Sequence, residues 1–393
     1  MIRYMTSGES HGQALVGIVE GVPAGLELTA AYINEQLRRR QQGYGRGGRM
    51  RIETDTVEIL SGVRFGKTIG SPIALLVRNR DWENWTERMS VEATDADVEK
   101  ITVPRPGHAD MAGLYKYGFD DIRPVIDRAS ARETAMRVAC CSVARKFLES
   151  FQITIGSHVL SIGTAGIKDR SAVDARIASL IRSGAVRIAD EADTSEVRML
   201  DAAAEGKAIS AIKACKKKGD TLGGIFEVIV TGVPMGLGTY VQYDRKLDAL
   251  LASALMSIQA VKGVEIGDAF ENARRFGSEV HDEIMLSRKK EITRPTNGAG
   301  GIEGGMTNGE PIVLRGAMKP ISTLAQPLRS VDLATMQPVQ SRYERSDVCA
   351  VPACAVIGEA VVAPVLANAL LEKFGGDSLR EITERFRAGV KVQ

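Results

Sequence analysis

The sequence predicts an α/β fold of the α+β kind, built as one domain from two related halves. Three observations predict it. Gly21-Val22-Pro23-Ala24-Gly25-Leu26 recurs as Gly232-Val233-Pro234-Met235-Gly236-Leu237. A later echo keeps the order: Thr68-Ile69-Gly70-Ser71-Pro72-Ile73-Ala74-Leu75 matches Thr307-Asn308-Gly309-Glu310-Pro311-Ile312-Val313-Leu314 at Thr, Gly, Pro, Ile and Leu. Two matches in one order point to duplication, although Gly-Val-Pro turns also arise by chance. Helix-like and β-like segments alternate, and no long Ser/Pro linker divides the chain. The domain therefore covers residues 1–393, with the two halves meeting near residue 220.

The first β-like run, Ala14 to Val19, leads into the first Gly-Val-Pro turn. A helix follows over 29–41, with Ile33 and Leu37 four apart and Gly43 as its stop. β-like runs at 56–60 and 73–78 precede a helix over 130–149, which opens on Ser130-Ala131-Arg132-Glu133, a capping-box pattern. A helix over 195–218 ends in Lys216-Lys217-Lys218-Gly219, cations that suit the negative end of its dipole. Ile225 to Val230 is the β-like run before the second Gly-Val-Pro turn. Leu247, Leu250, Leu251, Ala254, Leu255 and Ile258 share one face of a helix over 245–262, closed by Gly263. After a β-like run at 312–315, a last helix over 378–388 opens on a second capping box, Ser378-Leu379-Arg380-Glu381. Between them, Val348 to Leu371 carries Glu359 as its one charge. Pro352, Pro364 and its alanine content predict a buried strand and helix pair. A membrane span needs about 20 strongly apolar residues.

Hydrophobic residues make up 44% of the chain and charged residues 25%, a globular balance. A net charge of +2 excludes a molecule that is basic throughout, so any positive field is local. The five cysteines are odd in number and irregular in spacing, which fits neither a disulfide framework nor a zinc site. A reducing, cytoplasmic compartment follows. The opening MIRYMTSGESHG has no apolar run behind a basic start, so no signal peptide is expected.

Six arginines fall within the fourteen residues Arg38 to Arg51, interleaved with four glycines. Guanidinium forks suit phosphate and carboxylate, and glycines let backbone amides approach an anion. The segment reads as a site for a multiply anionic ligand or as a solvated basic loop. It also contains Gly43-Tyr44-Gly45-Arg46-Gly47-Gly48, but a dinucleotide fingerprint needs a preceding strand. A pyridine-nucleotide dehydrogenase rests on that motif alone. A nucleic-acid-binding protein rests on the arginines alone and would need a basic face. Of four histidines, His11 and His108 lie among small residues, in Gly8-Glu9-Ser10-His11-Gly12 and Arg105-Pro106-Gly107-His108-Ala109-Asp110. Each is either a proton-transfer group facing a ligand or a turn histidine bonded to backbone. His158 and His281 read as structural or exposed. No His/Cys spacing supports a metal.

Arg128 and Arg132 stand at a predicted helix start, where cations oppose the dipole unless an anion lies between them. Ser130 is an anion ligand, an N-cap, or both. Thr296 to Gly309 and Lys319 to Thr323 could line a phosphate or simply connect elements. Arg345 and Asp347 share a face if extended, and an exposed ion pair is the plain reading.

Eight motifs in order carry a resemblance. GESHG, RRRQQGYGRGGRM, RPGHAD, DRASARETA, SIQAVKGVEIG, NGAGGIEGGMTNGEPI, KPIST and ERSDVCAVPA resemble the chorismate synthase family along nearly the whole chain. The resemblance implies a β-α-β sandwich with internal pseudo-two-fold symmetry, assembled as a homotetramer. It implies a 1,4-anti elimination of phosphate and a proton from 5-enolpyruvylshikimate 3-phosphate, requiring reduced FMN without net redox change. By the same resemblance His11 donates a proton to the departing phosphate, His108 protonates reduced flavin, and Asp347 works with the flavin to take the substrate proton. Ser10, Arg49, Ser130, Arg132 and Arg345 match positions around the substrate. Arg128, Ala129, Ser130, Gln259, Ala260, Gly304, Lys319, Pro320, Ile321, Ser322, Thr323 and Arg345 resemble the FMN-contacting stretches. Arg40 and Arg46 match positions linked to pyridine nucleotide in some members, so NADPH is a candidate reductant. The short form of the chain, without a large insertion, favours an external one. Gly298 departs from the family pattern, which often has a larger basic residue there, and no contact is assigned to it. No nucleic acid or membrane partner is implied.

Overall fold

The computed structural model describes residues 1–47, 54–288, 290–344 and 346–390. Strands β1 (Arg3–Ser7) and β2 (Ala14–Glu20) precede helix α1 (Ala30–Gln41). Strand β3 (Val57–Ile59), the hairpin β4 (Val63–Arg64) and β5 (Lys67–Thr68), and β6 (Ile73–Arg78) follow. They form an antiparallel sheet in the order β1-β2-β6-β3. A long connection holding α2 (Asp110–Tyr117) and α3 (Arg123–Arg128) delivers α4 (Glu133–Glu149).

The second part begins with β7 (Thr154–Ile162) and β8 (Ala165–Gly166). Helices α5 (Arg170–Leu180), α6 (Val186–Ala192) and α7 (Ala202–Lys217) intervene before β9 (Gly224–Thr231), α8 (Leu247–Met256) and β10 (Val261–Ile266). After two one-turn helices come the hairpins β11 (Met285–Leu286) with β12 (Ile292–Thr293) and β13 (Ile302–Glu303) with β14 (Met306–Thr307), then β15 (Ile312–Met318). The second sheet runs β10-β15-β9-β7-β8. A hairpin of β16 (Arg329–Asp332) and β17 (Gln337–Gln340) leads to α9 (Val351–Phe374) and α10 (Leu379–Val390).

The two sheets share one plan. The order β1-β2-β6-β3 maps onto β7-β9-β15-β10, with α1 and α8, and α4 and α9, in matching places. The repeated sequences make the same bonds. Thr68 Oγ1 donates to the Pro23 carbonyl at 2.6 Å and accepts from the Leu26 amide at 3.0 Å. Thr307 Oγ1 donates to Pro234 at 2.6 Å and accepts from Leu237 at 2.9 Å. Gly21 and Gly232 both take left-handed φ, +75° and +79°. A Cβ on Gly21 would strike the Met1 carbonyl oxygen, and one on Gly232 that of Gln152. Gln152 therefore stands where Met1 stands, so the halves join between Glu149 and Thr154 and not near residue 220. The expectation failed because α5, α6 and α7 are inserted within the second half, between β8 and β9.

Helix α4 packs on the first sheet, α9 on the second, and the two pack on each other beside α1 and α8. This is the expected sheet–helix–sheet sandwich. Strand β2 alternates: Leu15 and Val19 are buried while Val16 and Ile18 are exposed. Strand β9 is buried almost throughout, because Phe226, Val228 and Val230 join the main core while Ile229 meets Val173, Ile177 and Ile188.

Several element bounds differ from expectation. Val348 to Leu371 is not a strand and helix pair. It belongs to the single 24-residue helix α9, with Pro352 in its first turn and Pro364 inside. That helix is long and apolar enough to cross a membrane, but 83% of its most apolar window is buried between the sheets. Residues 195–201 precede α7, which starts at Ala202 with Asp201 as its N-cap. Gly263 ends no helix; it lies in β10, opposite Ala317. Ser130 does not cap α4. Its Oγ accepts from the Arg132 amide, and the Glu133 carboxylate is taken by Thr6 and Gln259. The box at Ser378 does form in shifted shape: Ser378 Oγ accepts from the Glu381 amide while Glu381 accepts from the Asp377 amide.

Glu359, the one charge in α9 before its last turn, is fully buried. It accepts two bonds from Arg39 at 2.8 and 2.9 Å, one each from Arg145 and Ser157 at 2.5 Å, and one from Arg198 at 3.2 Å. Arg39 and Arg198 also pair with Asp193. Burial opposes the charge on Glu359, but Arg39 and Arg145 outweigh it and hold the carboxyl far below its usual range. Burial pushes Arg198 down to about 9.

Phe226 fixes the distance between β15 and α9. A Cβ at Gly316 would come within 2.3 Å of its ring, and one at Gly358 within 2.7 Å. Gly316→Ala is expected to destabilise the fold by about 1–3 kcal/mol, the usual cost of overpacking. Gly206→Ala, in α7 with nothing within 4 Å, should stabilise by up to about 1 kcal/mol. Urea midpoints at constant m-value would show the opposite signs.

Candidate active site

The connections after β6 and β15 occupy equivalent places in the two halves, and they meet. Ser330 Oγ donates to the Pro104 carbonyl at 2.6 Å, and the Leu333 amide to Thr102 at 3.0 Å. Lys319 Nζ donates to the Gly107 carbonyl at 2.9 Å, and Arg105 Nη1 to Thr323 Oγ1 at 3.1 Å. Several of the predicted site residues lie around this seam.

His108 is held at its Nδ1 by Asp110 Oδ1, 2.5 Å away. Asp110 opens α2 and is fully buried. It also accepts from Arg105 Nε at 2.8 Å and from the Arg105 amide at 3.0 Å. Burial opposes its charge, but His108 and Arg105 outweigh burial and hold the carboxyl below its ordinary value. His11, in the loop between β1 and β2, repeats the arrangement. Its Nδ1 lies 2.5 Å from Asp127 Oδ1, to which Ser10 Oγ donates at 2.5 Å. Asp127, in α3, is lowered in the same way: burial opposes, and His11, Ser10 and Arg123 prevail. Both rings are thus tethered by Nδ1, so exchange of a proton with a ligand runs through Nε2.

The two pairs are joined. Arg123 Nη1 is 3.7 Å from Asp127 and 3.6 Å from Glu344, and Glu344 is 3.8 Å from Arg105. Sequence reading assigned no role to Asp110, Asp127, Arg123 or Glu344. Asp110, two residues from His108, carried a local signal. Asp127 lies 116 positions from His11 and carried none.

Asp347 sits on the neighbouring strap. Its Oδ1 accepts from the Gly47 amide at 2.6 Å, and its Oδ2 lies 3.0 Å from Arg46. Ser346 Oγ donates to the Thr323 carbonyl, tying the strap to Lys319, Pro320, Ile321, Ser322 and Thr323. On the other side Arg128 is exposed and donates to the carbonyls of Thr6 and Gly8. It stands with half-buried Ala129 and Ser130 beside Glu133. Gln259 Nε2 donates to Glu133 at 3.1 Å, and the Lys319 amide to the Ala260 carbonyl at 2.9 Å. Gln259 Oε1 is buried without a hydrogen-bond partner among the described residues. That acceptor suits a ligand bearing an N–H donor.

Other expectations need correction. Arg40, matched to a pyridine-nucleotide position, turns instead to the chain's own groups. It is buried, and its guanidinium binds Thr134 Oγ1, the Ala131 carbonyl and Asp55. Burial pushes it down to about 10. Arg132 is buried beneath Ser130, on Asp55 at 2.5 Å and Asn79 at 2.9 Å. Gly304 is not brought to the seam within the chain. It follows β13 next to Gly305, which lies against Lys246 at the start of α8, and Gln259 lies beyond the far end of that ten-residue helix, about 15 Å along its axis. The arginine-rich segment is no solvated patch at Arg39, Arg40 and Arg46, each of which has a carboxylate partner. Arg49 and Arg345 lie outside the described residues. His158 is buried against Glu227 in the second sheet, and His281 is exposed.

A family model described as chorismate synthase matches residues 2–371. A chorismate synthase of Chlorobaculum tepidum is 63% identical over 397 residues, covering 100% of this chain and 99% of the relative. One of Prosthecochloris aestuarii is 62% identical, covering 99% and 97%. A crystal structure of chorismate synthase matches with a TM-score of 0.79 at 45% identity, covering 100% of this chain and 98% of the other. Sequence, fold and the placement of the shared motifs agree along the whole length, and the chain belongs to the chorismate synthase family, carbon–oxygen lyases that act on phosphate.

Proposed function

We propose that the chain converts 5-enolpyruvylshikimate 3-phosphate to chorismate by 1,4-anti elimination of phosphate and a proton. The observation that carries this reading is the convergence of two imidazole–carboxylate pairs and Asp347 on one seam rich in cations. Such an elimination needs a proton donor at the leaving phosphate and an acceptor at the other end of the allylic system. His11, tethered by Asp127, presents Nε2 to the departing phosphate oxygen. Asp347, oriented by Arg46 and the Gly47 amide, is the carboxylate for the substrate proton. His108, tethered by Asp110 and Arg105, holds a second proton on its Nε2.

Reduced FMN is the proposed cofactor, and when bound it supplies transient electron density that eases phosphate loss. Arg128, Ala129, Ser130, Gln259, Ala260 and Lys319 to Thr323 would hold it, with Arg345 added by resemblance. The partnerless Gln259 Oε1 and the cations Arg128 and Lys319 suit a ring with an N–H donor and an attached phosphate. The commitment of Arg40 and Arg46 to Asp55 and Asp347 supports reductant supplied from elsewhere rather than by NADPH on this chain. We take the working form to be a cytoplasmic homotetramer. All five cysteines are free and buried. The outer face of the first sheet exposes Met5, Val16 and Ile18, whereas the outer face of the second is covered by α5 and α6. A second copy would cover that bare face.

An anaerobic assay with 5-enolpyruvylshikimate 3-phosphate and chemically reduced FMN tests the reading. Equal release of chorismate and phosphate, absent with oxidised FMN, is expected. Folded protein that yields neither product with reduced FMN would overturn it.

A further inference from the structure

The hydrogen bond at Nδ1 holds the His11 ring by its edge, and an aromatic contact holds it by its face: the Trp85 ring lies over His11 with centroids 4.0 Å apart and planes at 31°. Trp85 is itself fixed. Its Nε1 donates to Asp81 Oδ2 at 3.2 Å, and its amide to the Trp82 carbonyl at 2.8 Å. The Arg123 guanidinium lies 5.1 Å from its ring centroid, and that of Arg88 5.7 Å. Arg123 also stands 3.7 Å from Asp127, which holds the edge of the same imidazole. One arginine therefore touches both groups that set the His11 ring, the carboxylate at its edge and the indole on its face.

We propose that Trp85 is a positioning residue for the reaction: it fixes the plane of His11, and so the direction in which Nε2 meets the leaving group. This rests on the role given to His11 above. The charged groups around the stack are Asp127, Asp81, Glu344, Arg88 and Arg123. No carboxylate or guanidinium supplies a flat face of this size, so phenylalanine is the substitute that preserves the function and leucine the one that loses it.

Two measurements separate this proposal from the reading on which it rests. Misdirecting a reacting group by about an ångström costs on the order of a hundredfold. Trp85→Leu is therefore expected to lower kcat about tenfold to a hundredfold with KM little changed, and Trp85→Phe to recover most of the loss. Full kcat in Trp85→Leu would overturn the proposal. The second readout needs no activity. The chain has two tryptophans, so in Trp82→Phe all indole emission comes from Trp85. An imidazole in contact with an indole alters its emission. Adding His11→Gln to Trp82→Phe should therefore change the emission of Trp85 at constant pH. Emission unchanged by His11→Gln would show that the two rings do not touch, whatever the substrate of the enzyme.

Discussion

His11→Ala and His108→Ala should each lower turnover by about a hundredfold or more, the usual scale for losing a general acid or base. Both side chains lie in loops and are partly exposed, 15% and 18%, so neither loss should unfold the chain. The carboxylates beneath them sharpen the expectation. Asp127→Asn keeps the shape of the site but no longer fixes Nδ1 as the donor, so kcat should fall while KM holds. Asp110→Asn also leaves Arg105 without its buried counter-charge and should cost stability as well. Steady-state kinetics beside a thermal melt of each variant checks both. Turnover of His11→Ala equal to that of the parent would remove His11 from the chemistry.

Glu359→Gln should be among the most destabilising single changes in the protein. It leaves Arg39 and Arg198 sharing Asp193, and Arg145 with Glu149 at 3.6 Å as its remaining carboxylate. Removing one partner from a buried ion cluster costs about 3–5 kcal/mol. The sign of the pH dependence follows from the depressed carboxyl. Its stabilisation is complete above the ordinary value of 4.5 and is lost as pH falls towards the lower folded value. Parent stability should decline on acidification below that point, and the variant should lack this component. Urea denaturation of both proteins across mildly acid pH measures it. Equal slopes would mean that Glu359 carries no charge in the folded state.

The repeat was legible because it is written in residues with strict backbone demands. A glycine at left-handed φ, a proline carbonyl and a threonine hydroxyl recur at fixed spacing, and these make the same bonds wherever they occur. The helix α9 was harder to read. Buried on nearly every side, it lacks the one-sided periodicity that marks a surface helix, and its two prolines read as breaks although a first turn tolerates one. The histidines stood out by their glycine neighbours, but the groups that orient them come from other elements. The arginines misled in the opposite direction. Arg39 and Arg40 fall in a basic run that suggests a ligand, yet their partners are Glu359, 320 positions away, and Asp55. Charge in a sequence shows that a counter-charge is needed, not whether a ligand or the chain supplies it.

The helix layer has a consequence for the origin of the molecule. Helix α4 covers the first sheet and α9 the second, but each leaves a flank that only the other closes, so neither half has a sealed interior of its own. An ancestral single unit would have had to meet a second copy, and the present domain reads as a former homodimer made into one polypeptide. Fusion replaced a bimolecular encounter by a tethered one, for which short linkers give effective concentrations of about millimolar. It also ended the requirement that both units stay alike. One unit now bears the two histidines and their aspartates, and the other bears Asp347, a division of labour that a symmetric dimer could not have held.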